Sequence, residues 1–340
     1  WKNADDKTRK KLMGNTPNLL ILVDQFEEFF TNPENFFKGK VSSDAKTVVN
    51  LLLETNRLAL KQNLPIYIIC TMRSDYIGHC TSFHGLPEII GQAHYFVPRL
   101  KRNEIFQVID EPALLSGNTI SARLVARLLN DIKEGTDVLP VLQHALYQIW
   151  KAADEDGAEA MDLIHYAKVG GMPKEELHRV DQEIYDKWFS ERSDYKRELL
   201  KNASLDNVLN IHANEIYETA HDYYNKHHDS NSAITKELSQ EIIKTTFTCL
   251  TKIDENKAVR NRMSVKEITE MIDDTRIDSA MVIGVLNIFR EQGNTLIRPY
   301  IAIPTKSSVK DWVDVDLKGE SVLDITHESL IRNWDRLADW

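Results

Sequence analysis

Leu19-Leu20-Ile21-Leu22-Val23-Asp24-Gln25-Phe26-Glu27-Glu28 decides how the rest of this chain is read. Leucine and β-branched residues run without interruption into the Asp24 carboxylate, and Glu27 and Glu28 come after Gln25 and Phe26. A strand covered by helices on both faces reads as continuous apolar sequence, because neither face meets water. The stretch therefore predicts a buried parallel strand over 18–23 that delivers acid at its C-terminal end. Ligands of open α/β sheets sit in the crevice beyond the carboxyl ends of the strands, so Asp24 is placed to meet a ligand or its metal. A core strand that ends in a solvated acidic turn would look the same in isolation.

The next stretch adds to that reading. From Ser43 the pattern is helical, with Val48, Leu51, Leu52, Thr55, Leu58 and Ala59 on one stripe and Ser43-Asp44 suited to an N-terminal cap. Leu64-Pro65-Ile66-Tyr67-Ile68-Ile69-Cys70 is a second short apolar run. Strand, helix and strand make a βαβ unit, with parallel pairing and a right-handed crossover. Thr71-Met72-Arg73-Ser74-Asp75 leaves the second strand. An arginine there suits a γ-phosphate sensor, since guanidinium matches phosphate geometry and keeps its charge. A surface pair between Arg73 and Asp75 is the alternative.

Composition bounds the function classes. A chain of 340 residues has a prior of about two domains. Apolar residues at 42% and charged residues at 28% are ordinary for a soluble globular protein. No apolar run approaches the ~20 residues that span a bilayer, and the opening residues carry no signal-peptide pattern, so a cytoplasmic location is expected. Cys70, Cys80 and Cys249 lack the spacing of a disulfide framework or zinc ribbon. His79, Cys80, His84 and His94 are close in sequence but fit no common metal template, and a polar loop is expected there. A formal net charge of −10 disfavours non-specific nucleic-acid binding by the chain as a whole.

Further along, Tyr95-Phe96-Val97-Pro98 reads as a short strand, followed by a helix through Ile105, Val108 and Ile109 that Asp110-Glu111-Pro112 closes. A helix carrying Leu124, Val125, Leu128, Leu129 and Ile132 is expected to stop near Gly135, and another starts at Leu139-Pro140, where proline suits the first turn. Residues 151–235 read as mostly helical and polar, with loop-like stretches at 152–157, 190–194 and 221–232. Helical patterns come next at about 237–250, 264–272 and 278–291, then Thr295-Leu296-Ile297-Arg298-Pro299, a long polar connection and Ser321-Val322-Leu323-Asp324-Ile325-Thr326. Three helices and a two-stranded ribbon is the order of a winged helix. Its third helix is apolar and nearly uncharged, whereas a major-groove helix needs donors and basic residues. That helix is expected to pack against its own protein. The basic stretch from Lys257 to Lys266 is the one feature that favours DNA.

Several of these segments, in this order, resemble the bacterial novel-STAND nucleotide triphosphatases, relatives of the NB-ARC and NACHT switches. They are Val23-Asp24-Gln25-Phe26-Glu27-Glu28-Phe29-Phe30-Thr31, Thr71-Met72-Arg73-Ser74-Asp75, Gly85-Leu86-Pro87-Glu88, Val97-Pro98-Arg99-Leu100, Leu139-Pro140-Val141-Leu142-Gln143-His144-Ala145-Leu146 and Ile325-Thr326-His327-Glu328-Ser329-Leu330-Ile331-Arg332-Asn333-Trp334. The resemblance implies an α/β fold followed by all-α and winged-helix parts. Residues 1–100 would be the later part of a P-loop NTPase domain, with its Walker B and sensor strands. Residues 101–155 would be a helical lid, 156–235 a helical linker and 236–340 a winged helix.

Carried over residue by residue, the resemblance makes Asp24 the Walker B aspartate on Mg²⁺ and Glu27 or Glu28 the acid that positions the attacking water. Arg73 would be the sensor arginine, and Pro140 the proline of a GLPL-like motif near the adenine. His327 resembles the histidine of an MHD-like motif, which touches the β-phosphate of ADP; a capping or buried structural histidine is its alternative. The implied cofactors are ATP or ADP with Mg²⁺. One element of the family is missing: no G-x-x-x-x-G-K-[ST] occurs, and Gly39-Lys40, which lies after the aspartate strand, has Glu34 where the first glycine belongs. The expectation is a fragment whose P-loop stands upstream, with these residues alone inactive as an ATPase; loss of the P-loop is the second explanation. The implied function is a signal-transduction switch. Its partners would be nucleotide, an upstream effector and a downstream repeat domain of the same polypeptide, and other copies of itself when active, with no membrane and no nucleic acid. A pseudo-ATPase scaffold and, more remotely, a winged-helix DNA-binding regulator are the alternatives.

Overall fold

Two apolar strands and the helix between them organise the first part of the chain. The computed structural model describes residues 7, 17–32, 35–37, 40–133, 138–229, 232–254, 257–301 and 316–340. They fall into two units, Trp1–Arg99 and Leu100–Trp340. The first unit holds β1 (Leu19–Val23), the one-turn helix α1 (Glu28–Thr31), an antiparallel pair of β2 (Phe36–Phe37) and β3 (Lys40–Val41), the helix α2 (Ser43–Gln62), β4 (Ile66–Cys70), a 3₁₀ segment at Ser74–Ser82 and α3 (Leu86–Gln92). β1 and β4 pair in parallel, from Leu19 against Ile66 to Val23 against Cys70, which makes α2 the crossover. α2 is capped by Ser42, whose hydroxyl accepts from the Ala45 amide at 3.1 Å, one residue ahead of the expected Ser43.

The strand pair is not covered on both faces. Side chains alternate along a strand, so in this register Leu20, Leu22, Tyr67 and Ile69 share a face, and all four are exposed, Leu22 at 61%. Ile21 and Ile68, on the other face, are half-buried. The expectation of a fully buried strand fails because nothing among the described residues covers this face. The apolar stripe of α2 is also rotated from the expected one. Ala45, Val49 and Ala59 are buried, while Val48, Leu51 and Leu58 are exposed. Val48-Val49 and Leu51-Leu52-Leu53 place apolar residues on every side, so periodicity alone does not select the face.

The stretch expected as a polar loop is largely helical, as the 3₁₀ segment and α3. Cys80 is buried, its thiol pushed up to about 11 by burial, with Sγ 3.7 Å from Met72 Sδ. His79 packs on Phe30 and Tyr76 with ring centroids 5.6 Å from each. His94 Nδ1 lies 2.7 Å from the Ile90 carbonyl. Among the described residues no group of three His, Cys, Asp or Glu is arranged to hold a metal ion. Tyr95-Phe96-Val97 forms no strand and is exposed, Val97 at 84%. Strand propensity is realised only against a partner edge, and this segment pairs with no strand among the described residues. Glu34, Gly39 and Gly135 lie outside the described residues.

The second unit begins with α4 (Arg102–Leu115), α5 (Ala122–Asp131), α6 (Val138–Glu155), α7 (Leu163–Lys168), α8 (Arg179–Ser190) and α9 (Asp194–Leu199). It continues with α10 (Asn207–His227), α11 (Lys236–Cys249), the hairpin β5 (Thr251–Asp254) and β6 (Lys257–Arg260), β7 (Met263–Ser264), α12 (Val265–Met271) and α13 (Ser279–Arg290). β8 (Ile297–Arg298), β9 (Val322–Ile325), α14 (Glu328–Asn333) and α15 (Asp335–Asp339) complete it. β7, β9 and β8 form an antiparallel sheet in that order, so Met263-Ser264 adds a strand to the expected ribbon. One core gathers Ile109, Leu124, Leu128, Leu142, Ile149 and Tyr166. A second gathers Phe247, Ile268, Phe289, Leu323 and Trp334.

Several helices run past their expected ends. α4 continues through Pro112 to Leu115; the proline removes one donor close to the C-terminus, and the Ser116 amide bonds to the Pro112 carbonyl at 3.1 Å. α6 runs through 152–155 and α10 through 221–227, both read as loop-like from their polar composition. α10 is the helix that polarity conceals most. Asn210, His212 and Asn214 are buried along it. Asn214 Oδ1 accepts from Trp334 Nε1 at 3.3 Å and Arg336 Nε at 2.7 Å, and Asn210 Nδ2 donates to Asp335 Oδ2 at 2.9 Å. A buried polar group costs little once it is paired.

Candidate functional site

The C-terminal edge of β1 and β4 collects the chemistry-bearing residues of the first unit. β1 ends at Val23 and the chain turns at Gln25, which adopts a left-handed φ of 54°. Phe26 goes inward as the anchor of this turn: it is 3% exposed and meets Phe30 and Phe83 edge-on at 6.1 and 6.3 Å. With Phe26 buried, Asp24 stays exposed at the edge and Glu27 is half-buried beside it.

β4 fixes the turn from the other side. The Thr71 amide donates to Val23 O at 2.9 Å, and the Thr71 carbonyl accepts from the Phe26 amide at 2.8 Å. The Thr71 hydroxyl accepts from the Gln25 amide at 3.0 Å and donates to Asp24 Oδ1. Glu27 Oε2 accepts a long hydrogen bond from the Arg73 amide at 3.4 Å. The Arg73 guanidinium reaches Asp75 Oδ2 at 2.8 Å and lies 5.6 Å over the Tyr76 ring.

Asp24, Glu27 and Arg73 therefore meet at one edge, and Thr71 joins them. The Arg73–Asp75 pair foreseen as an alternative is present, and both side chains are exposed enough for the guanidinium to leave it. Glu28 opens α1 in its first turn. The oxygen donors at this edge, the carboxylates of Asp24 and Glu27, suit a hard cation such as Mg²⁺. No self-sufficient metal cage exists among the described residues, so a cation here would draw further ligands from phosphate and water.

A family model described as Novel STAND NTPase 1 matches residues 2–207, more than half of the chain. The chain belongs to this family. Comparison with curated proteins and comparison with solved structures each found no match. As a novel STAND NTPase, the chain has a mixed α/β first unit with a small parallel sheet followed by many helices. None of its described helices is long and apolar enough to cross a membrane.

The novel STAND NTPase's remaining candidates lie in its second unit. Pro140 is half-buried in the first turn of α6. His327 is exposed at the N-cap position of α14, with no side-chain capping bond. Within α6, His144 belongs to a polar chain that sequence alone did not reveal. His144 Nε2 lies 3.2 Å from His212 Nδ1, and His212 Nε2 lies 3.1 Å from Asn294 Oδ1. Burial lowers His144 to about 4, and lowers His212 in the same direction, reinforced by the neighbouring His144. Gln148 adds a contact of 3.3 Å to His212 Nδ1. Thr71 is the residue of the strand edge that sequence reasoning passed over; its place just after an apolar run and two before Arg73 was the available signal.

Proposed function

We propose that this protein is a nucleotide-dependent switch, binding ATP or ADP with Mg²⁺ at the edge of β1 and β4. The observation that carries the reading is the convergence of Asp24, Glu27, Thr71 and Arg73 at the C-terminal ends of two parallel strands in a chain of the novel STAND NTPase family. Ligands of open α/β sheets sit at that edge. Bound Mg²⁺ would neutralise charge on the phosphates. Asp24 would hold the cation. Glu27, or Glu28 in the turn beyond it, would orient the attacking water, and Arg73 would exchange Asp75 for a phosphate oxygen. Positioning and charge complementarity are what phosphoryl transfer asks of a protein.

The triphosphate also needs a P-loop, which we place in a segment ahead of β1. The open apolar face of Leu20, Leu22, Tyr67 and Ile69 supports that placement, since a further strand-bearing segment would cover it. The elements from α11 to β9, with sheet order β7-β9-β8, support a winged helix as the moving part, and α4 to α6 a lid. Pro140 and His327 are their candidates for the adenine and the β-phosphate. A ligand shifts only an equilibrium whose states it binds unequally, so the switch requires contacts that differ between ADP and ATP. Effector, repeat domain and self-association complete the signalling reading.

Titration of ADP and ATP with Mg²⁺ into the full-length protein tests the proposal, and absence of binding would refute it. A second reading, a scaffold without turnover, is favoured by the lack of a G-x-x-x-x-G-K-[ST] motif in these residues. Nucleotide binding without hydrolysis would favour the scaffold.

A further inference from the structure

Thr71 commits every polar group it has to the turn that carries Asp24. Its amide, carbonyl and hydroxyl reach Val23, Phe26, Gln25 and Asp24, four consecutive residues of a strand end that lies far away in sequence. A hydroxyl has one proton to give and lone pairs to accept with. Here the proton goes to Asp24 Oδ1 and a lone pair takes the Gln25 amide. Gln25 stands at φ 54°, a region that residues with a Cβ adopt at a cost, and the bond from its amide to Thr71 is positioned to hold it there. Thr71 is exposed and contributes nothing to the buried core of its unit. Its hydroxyl is therefore used for orientation and not for packing.

We infer that Thr71 is a positioning residue for the cation site: it engages Oδ1 of Asp24 and leaves Oδ2, which has no hydrogen-bond partner among the described residues, as the oxygen offered to Mg²⁺. The inference rests on the nucleotide reading above and deepens it. Freed of Thr71, the carboxylate would rotate between orientations, and the Gln25 turn would lose the bond that holds its left-handed backbone. A cation bound through one oxygen would then have to order a side chain that the native protein has ordered beforehand.

The test compares Thr71→Val, which keeps the shape and removes the hydroxyl, with Thr71→Ser, which keeps the hydroxyl. Two quantities are read in the full-length protein: the Mg²⁺ concentration that half-saturates ADP binding, and hydrogen exchange at the Gln25 amide. For Thr71→Val we expect the Mg²⁺ requirement to rise about tenfold, the scale of one lost hydrogen bond to a charged group. Exchange at Gln25 should accelerate, and ADP affinity in EDTA should be unchanged. Thr71→Ser should stay within about twofold of the wild type on the Mg²⁺ scale. An unchanged Mg²⁺ requirement in Thr71→Val, or an equal loss of ADP affinity in EDTA, overturns the positioning role while leaving the nucleotide site standing. A wild-type protein that binds no ADP removes the nucleotide reading and this inference with it, and one that binds ADP without regard to Mg²⁺ removes the cation site and this inference while leaving nucleotide binding in place.

Discussion

The Thr71 hydroxyl donates to the Asp24 carboxylate across the ends of two parallel strands that are joined by a helix. This bond places an acid at the sheet edge in a defined orientation, with Glu27 and Arg73 beside it. In the function proposed above, this edge takes a cation and a phosphate, the phosphate being that of a nucleotide.

The histidine pair makes the second unit sensitive to acid. Burial keeps His144 neutral, with its value lowered from 6.5 to about 4, and shifts His212 the same way. In the unfolded chain both take up a proton near 6.5, so the unfolded state binds more protons between those values. The stability they contribute is complete above pH 6.5 and is lost as pH falls toward 4. For His144 the loss is on the order of 3 kcal/mol. Urea midpoints at pH 7 and pH 4.5 should differ in the wild type, and His144→Gln should flatten the dependence. An equally steep dependence in the variant would contradict this assignment.

Gly284 inverts the usual rule for glycine in a helix. Replacing an interior helical glycine by alanine ordinarily stabilises by about 1 kcal/mol. In α13 a Cβ at Gly284 would stand 2.5 Å from Tyr224 Cε2 and 2.9 Å from His228 Cε1, and those two rings are stacked with centroids 3.9 Å apart. The buried Tyr224 has little room to withdraw. Gly284→Ala should therefore destabilise the protein by about 1–3 kcal/mol, as overpacking does, which chemical denaturation would register as a lower midpoint at unchanged slope.

Duplex DNA should not bind tightly. The helix that would read a groove, α13, buries Val282, Val285, Leu286, Phe289 and Arg290 in its own unit. In the basic stretch, Arg260 and Arg262 are directed to Asp324 at 3.2 and 3.1 Å. With a net charge of −10, binding to duplex DNA in physiological salt should be no tighter than the roughly 10⁻⁴–10⁻⁶ M of non-specific contact. Submicromolar binding that falls steeply with salt would contradict that expectation.

Local pattern carried much of the fold. The apolar runs at 19–23 and 66–70, with a helix between them, gave the parallel pair, and the helices from 236 to 290 stand close to where periodicity places them. Long-range facts were not legible. Nothing local shows that one face of β1 and β4 is open, or that Tyr95-Phe96-Val97 finds no partner edge. The burial of Asn210, His212 and Asn214, in a stretch that reads only as helical and polar, was hidden because their partners, such as Trp334, Arg336 and His144, are distant in sequence. At the candidate site the acids and Arg73 were visible as strand-end residues. Thr71 was not, since a hydroxyl shows its function only when the carboxylate it serves is brought beside it.

The most direct test of the nucleotide site is a calorimetric titration of ADP into the full-length protein with and without Mg²⁺, alongside Asp24→Asn. The wild type should bind ADP more tightly when Mg²⁺ is present, and the Asp24→Asn protein should fold normally but lose most of the Mg²⁺ effect. ADP binding with the same Mg²⁺ dependence in both proteins, or in neither, would contradict the assignment of Asp24 to the cation.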